Sequence, residues 1–123
     1  MNRDDLMAIA LAMPGAWPDE PWEGDTVAKV GSRIFAFLGG DESIVVTLRC
    51  RPEDVEAWRQ RYPDALGPAP YMRSKPWNRV QLDGTVPDDE LRTMLEESYD
   101  CVVEQLTKRE RPEGWVRPDQ RAR

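Results

Sequence analysis

An α+β two-layer sandwich, with an antiparallel sheet carrying helices on one face, is the fold class predicted by three observations. Apolar residues recur at helical spacing near both ends of the chain. Between them, three runs rich in β-branched residues are separated by short glycine-containing turns, and a fourth run precedes the last helical pattern. Connections of hairpin length rule out the long crossovers that parallel pairing needs, so the order reads α-β-β-β-α-β-α.

The first helix is predicted over residues 3–13. Asn2 is a suitable N-cap, Asp5 falls where an acid favours the free N–H groups, and Leu6, Ile9, Ala10 and Met13 form one apolar stripe. Pro14-Gly15 ends it. Residues 15–25 combine two prolines, two glycines and four acids, and read as an ordered loop pinned by Trp17 and Trp22. Strands follow at Thr26–Val30 and Arg33–Leu38, joined by the two-residue turn Gly31-Ser32. After Gly39-Gly40-Asp41-Glu42 comes a third strand, Ser43–Arg49.

Pro52 suits the first position of a second helix, residues 52–61, which places Val55, Trp58 and Tyr62 on one face before Pro63 stops it. Residues 64–76 hold Pro68, Pro70 and Pro76 and read as a loop. Trp77–Leu82 is the fourth strand, and Asp83-Gly84 turns the chain. The third helix, residues 87–106, has the clearest pattern: Leu91, Met94, Leu95, Ser98, Tyr99, Val102 and Leu106 share one side. Ser98 sits in that stripe, which favours packing or backbone hydrogen bonding over catalysis. Residues 1–106 therefore read as one domain, and 107–123 as a basic, flexible tail anchored by Trp115.

The chain has 123 residues and a net charge of −6, enough length for one core without disulfide or metal staples. No run of apolar residues approaches membrane-spanning length, which gives cytoplasmic residence as the expectation. There is no histidine, which removes Ser-His and Cys-His nucleophilic schemes and imidazole metal sites. Cys50 and Cys101 follow neither metal nor CxxC spacing and read as reduced core residues. The acids along the third helix (Asp88, Asp89, Glu90, Glu96, Glu97, Asp100 and Glu104) read as a solvated side rather than a converging metal site. No cofactor is implied, and no nucleophile–base pair can be assembled, so an enzyme is the disfavoured class.

The charge is uneven. Residues 1–48 carry three Lys/Arg against eight Asp/Glu, and 80–106 carry one against eight. Residues 49–79 carry seven against four, and 107–123 six against three. Alternation along the strands puts Val80 and Leu82 inward with Asn78, and Ile44, Val46 and Leu48 inward on the preceding strand. The outward set is then Lys29, Thr47, Arg49, Trp77, Arg79 and Gln81, with Arg73 and Lys75 approaching from the adjoining loop. Cations beside an aromatic ring are what nucleic-acid platforms use. The candidate nucleic-acid-binding residues are Lys29, Arg49, Arg73, Lys75, Trp77 and Arg79. The net negative charge suits the alternative, an adaptor that meets an acidic protein or a small anionic ligand.

The order of motifs resembles the MmcQ/YjbR family of small bacterial domains over roughly residues 5–106. Its marks are Pro14-Gly15-Ala16, Lys29-Val30-Gly31 with Phe35-Ala36, Pro52-Glu53, Tyr62-Pro63, Trp77-Asn78, Leu82-Asp83-Gly84, Pro87-Asp88 and Ser98-Tyr99. The resemblance implies a CyaY/frataxin-type sandwich and a DNA-binding label that rests on likeness of fold. This chain departs from the family pattern where members carry an Asn-Lys pair and then a His before the Trp. Here those positions read Arg73-Ser74 and Pro76.

Overall fold

The computed structural model describes residues 1–70 and 76–121. Its elements are α1 (Arg3–Leu11), β1 (Ala16–Trp22), β2 (Asp25–Val30), β3 (Arg33–Gly39), β4 (Val45–Arg49), α2 (Val55–Arg61), β5 (Leu66–Pro68), β6 (Trp77–Gln81) and α3 (Asp88–Gln105). A 3₁₀ turn at Pro52–Asp54 leads into α2, and another follows at Pro118–Gln120. The six strands form one open sheet in the order β1-β2-β3-β4-β6-β5, with every neighbouring pair antiparallel. The α+β class is as the sequence predicts. No helix of the described residues is long and apolar enough to cross a membrane.

Local chemistry sets the element ends. At α1, the Asp5 N–H donates to Asn2 Oδ1 and the Asn2 N–H donates to Asp5 Oδ2, both at 2.9 Å. This reciprocal box satisfies two otherwise orphaned donors. The β2–β3 hairpin closes with Val30 opposite Arg33. Gly31 supplies the left-handed φ of 58° that a side chain would resist.

Two strands go beyond the predicted order. Residues 16–22, read from sequence as a loop, form β1, an edge strand paired only with β2. Pro18 and Pro21 are tolerated because an edge strand has one side without a ladder partner, and the register shifts between Asp19 and Trp22. Leu66–Pro68, within the predicted 64–76 loop, form β5 on the other edge beside β6. Ile44 corrects the predicted inward face. It is 67% exposed because β4 starts only at Val45, beyond the reach of the helices.

The core lies between the sheet and the helices that cover one face. Leu6 and Ala10 of α1 meet Leu95, Tyr99 and Val102 of α3 over Val30, Phe35, Leu38, Val46 and Val80. Fully burying each large aliphatic side chain contributes roughly 1.5–3 kcal/mol. The segment after α3 folds back on the domain. Trp115 Nε1–H donates to Asp100 Oδ1 at 2.9 Å, the Arg121 guanidinium grips the same buried carboxylate at 2.7 and 3.1 Å, and Ser32 donates to Glu110 at 3.1 Å.

One polar group ties the two layers together. β3 and β4 pair at only Ala36↔Leu48 and Phe37↔Thr47. Where the strands part, Ser98 of α3 is fully buried, accepting from the Arg49 N–H at 2.9 Å and donating to the Phe35 carbonyl. Two residues later, the Arg51 N–H donates to Glu97 Oε1, also at 2.9 Å. Two adjacent α3 side chains thus take hydrogen bonds that a longer β3–β4 ladder would have supplied.

Removing the Ser98 hydroxyl leaves a buried donor and a buried acceptor unmatched. Ser98→Ala should lower the unfolding free energy by roughly 1–3 kcal/mol, read as a shifted urea midpoint at unchanged slope.

Candidate functional site

The sheet face away from α1 and α3 follows the strand alternation. Across β4 and β6 the register pairs Val45 with Gln81, Thr47 with Arg79 and Arg49 with Trp77, all on the open side. Val46, Leu48, Asn78 and Val80 are buried beneath. Val27 and Phe37 face each other across β2 and β3, and Lys29 lies opposite Ile34.

Because β3 and β4 diverge at Phe35 and Arg49, the open face is not flat. A hollow of about 770 Å³ forms there, and α3 contributes Val102 and Gln105 to its lining. Its cations are Lys29, Arg33 and Arg49, from β2, β3 and β4, and no carboxylate lines it among the described residues. Of the predicted residues, the structure therefore gathers Lys29, Arg49 and Trp77. Arg79 is exposed on the same face, beside Thr47 and Gly67, but outside the hollow. Arg73 and Lys75 lie outside the described residues.

The cations differ in availability. Lys29 Nζ lies 3.2 Å from Asp19 Oδ2 and 4.8 Å from the centre of the Trp17 ring. The Lys29 hydrogen bond, helped by the Glu20 N–H, holds the Asp19 carboxyl below the usual carboxylate range. Among the described residues, Arg33 reaches only the Gln105 amide oxygen, at 3.5 Å. Arg49 is half-buried, and its Nε is enclosed without a hydrogen-bond partner among the described residues. A buried guanidinium donor left unpaired is costly.

Trp77 is 9% exposed. Its ring meets Phe37 edge-on, with centroids 5.4 Å apart at 70°, so it walls the hollow rather than offering a free stacking face. Beyond that wall is a second hollow of about 530 Å³, lined mainly by Trp22, Val27, Phe37, Val45, Ala69 and Pro70, with Asp25, Thr26 and Thr47 as its polar members. Sequence reasoning missed Arg33, Gln105 and this second hollow. Strand alternation already puts Thr47 on that face without gathering Phe37 beside it, and nothing local signals that Gln105 reaches a rift between two strands.

The family model described as YjbR matches residues 11–101. The chain belongs to the YjbR family. It is 30% identical over 114 residues to the uncharacterized protein YjbR of Escherichia coli (strain K12), covering 90% of this chain and 95% of that one. Among solved structures it is similar to Deinococcus radiodurans protein DR2400, with a TM-score of 0.79, 32% identity and 89% and 85% of the two chains covered. A protein from Pseudomonas syringae matches with a TM-score of 0.62 and 26% identity over 80% of this chain and 96% of the other. The two solved structures share the fold of this chain.

The groups under the hollow are quiet. Cys50 and Cys101 are both free and buried, as expected of core thiols. Burial pushes the Cys50 thiol up to about 12 and the Cys101 thiol up to about 11, with nearby Glu97 opposing ionisation of both. Asn78 donates to Cys50 Sγ at 3.5 Å while its Oδ1 accepts from Arg59 Nε at 2.8 Å. Burial also raises the Glu97 carboxyl, against the hydrogen bond it accepts from the Arg51 N–H. Among the described residues, no group of three or more Cys, Asp or Glu side chains converges as a metal site requires.

Two outcomes follow from these shifts. Both cysteines should resist a thiol reagent such as DTNB in the native protein at mildly alkaline pH, and both should react once the chain is unfolded in guanidinium. The raised Glu97 pKa contributes stability that is full below the unfolded value and is lost as pH rises through the folded one. Glu97→Gln keeps the acceptor for Arg51 and removes the charge. Its stability relative to wild type should therefore improve between pH 4 and pH 7, as measured by urea unfolding at each pH.

Proposed function

We propose that this chain is a non-catalytic binding module that takes a small phosphate- or carboxylate-bearing ligand in the hollow between β3 and β4. One observation carries the reading. Lys29, Arg33 and Arg49 arrive from three strands at one depression whose described lining contains no acid. Convergent, partly desolvated cations hold anions more strongly than solvated surface charges do.

The DNA-binding expectation, and the CyaY-type label that accompanies it, draw on the same face. A small ligand is favoured over a polyanion by two features. Trp77 is closed off by Phe37, and a long phosphate backbone running off the hollow meets the acids of β1 and β2, Asp19, Glu20 and Asp25, on a chain of net charge −6.

Calorimetric titration separates the readings, using inorganic phosphate and a short single-stranded oligonucleotide at low and moderate salt. Phosphate should bind saturably at one site and weaken about tenfold or more in Arg49→Gln, as expected for loss of a charge-assisted contact. Absence of phosphate binding into the tens of millimolar would overturn the proposal. So would oligonucleotide binding that falls steeply with salt and depends on Arg79 rather than Arg49, which would restore the nucleic-acid reading.

A further inference from the structure

The cationic hollow does not stand alone, and its neighbour sharpens what kind of anion would fit. Val27 and Lys29 are two apart on β2, and Thr47 and Arg49 are two apart on β4, so each pair projects from the same side of its strand. The first member of each pair lines the apolar hollow and the second lines the cationic one. Such neighbours stand roughly 7 Å apart along the strand. The Phe37–Trp77 edge contact makes the seam, with Phe37 in the apolar lining and Trp77 in the cationic lining.

The two hollows are therefore consecutive stretches of one sheet face, divided by the Phe37–Trp77 contact. One end offers Arg33 and Arg49, neither in an ion pair among the described residues. The other offers Val27, Phe37 and Val45 together with Trp22, which is left 56% exposed. An exposed indole at the rim of an apolar depression marks a surface that gains from being covered. Resting on the anion-binding reading, we infer that the ligand is a small anionic amphiphile. Its phosphate or carboxylate head sits at Arg33 and Arg49, and its hydrocarbon body lies over Val27, Phe37 and Val45 against Trp22. Charge selects the end at which the head docks, and the apolar stretch fixes the direction of the body. A highly charged ligand such as a nucleoside triphosphate would place charge over the apolar half and is disfavoured.

An alkyl phosphate series tests this by calorimetry, using methyl, butyl and octyl phosphate, each kept below its micellar concentration. Affinity should rise about two- to fourfold per added methylene, because each one leaves water for a largely apolar lining. Trp22→Ser, a change at an exposed position, should flatten that dependence while leaving methyl phosphate binding unchanged. Val45→Thr should flatten it in the same direction. Arg49→Gln should weaken all three ligands by a similar factor, and thermal melts confirm that each variant is folded.

Equal affinity for methyl and octyl phosphate would overturn the amphiphile while leaving the anion site standing. Failure of all three to bind would overturn both. Octyl phosphate binding that Arg49→Gln leaves untouched would overturn the placement of the head, since the chain alone would then account for the affinity.

Discussion

β3 and β4 hold together over two residue pairs and then part, and a buried serine hydroxyl spans the gap. Main-chain N–H and C=O groups cannot be left unmatched inside a core, so the divergence persists only because α3 supplies partners: Ser98 for the Arg49 N–H and the Phe35 carbonyl, Glu97 for the Arg51 N–H. Helical spacing then brings Val102 and Gln105, four and seven residues beyond Ser98, along the same rift. The hollow, its α3 residues and the half-buried position of Arg49 all follow from this one substitution of side chain for strand. A continuous ladder between β3 and β4 would close the sheet and leave Arg49 on a flat surface.

That dependence explains what could be read in the sequence. The stripe of α3, the Gly31-Ser32 hairpin and the N-cap at Asn2 are local patterns, and each is found where the sequence places it. Strand alternation also assigns Lys29, Arg49, Trp77 and Arg79 to one side of the sheet, as the register has it. β1 escaped notice because Pro18 and Pro21 disqualify a central strand, whereas an edge strand tolerates them. β5 is only three residues long, too short for a pattern. Arg33 and Gln105 were illegible for a different reason. They meet Arg49 only through the strand divergence, a tertiary event with no period of its own. Trp77 shows a further limit: a residue facing the open side of a sheet can still be covered, here by its neighbour Phe37.

A chain of net charge −6 keeps a cationic hollow by spending its acids elsewhere. Arg51 is held by Glu104, Arg59 by Glu56, Arg61 by Glu90 and Arg121 by Asp100. Among the described residues, the one cation engaged on the open face is Lys29, by Asp19. Arg33 and Arg49 therefore present their charge to whatever enters, and Arg49, being half-buried, is screened less by salt than a surface cation. The sign of the whole molecule is a poor guide to the field at this one place.

The same burial that builds the rift also silences the groups beneath it. Cys50 precedes Arg51 at the end of β4, Cys101 precedes Val102 on α3, and both thiols are pushed well above neutral pH. Tyr99, raised by burial to about 12, is committed to donating its hydroxyl hydrogen to the Pro14 carbonyl. Glu97 is the one nearby carboxylate with a raised pKa. It accepts from the main chain at Arg51 and lies outside the lining of the hollow. A general base must reach its substrate and a nucleophile must ionise, and none of these groups does both. The ligand proposed at Arg49 would therefore meet charge on one side and hydrocarbon on the other, above two thiols and a phenol that burial keeps protonated.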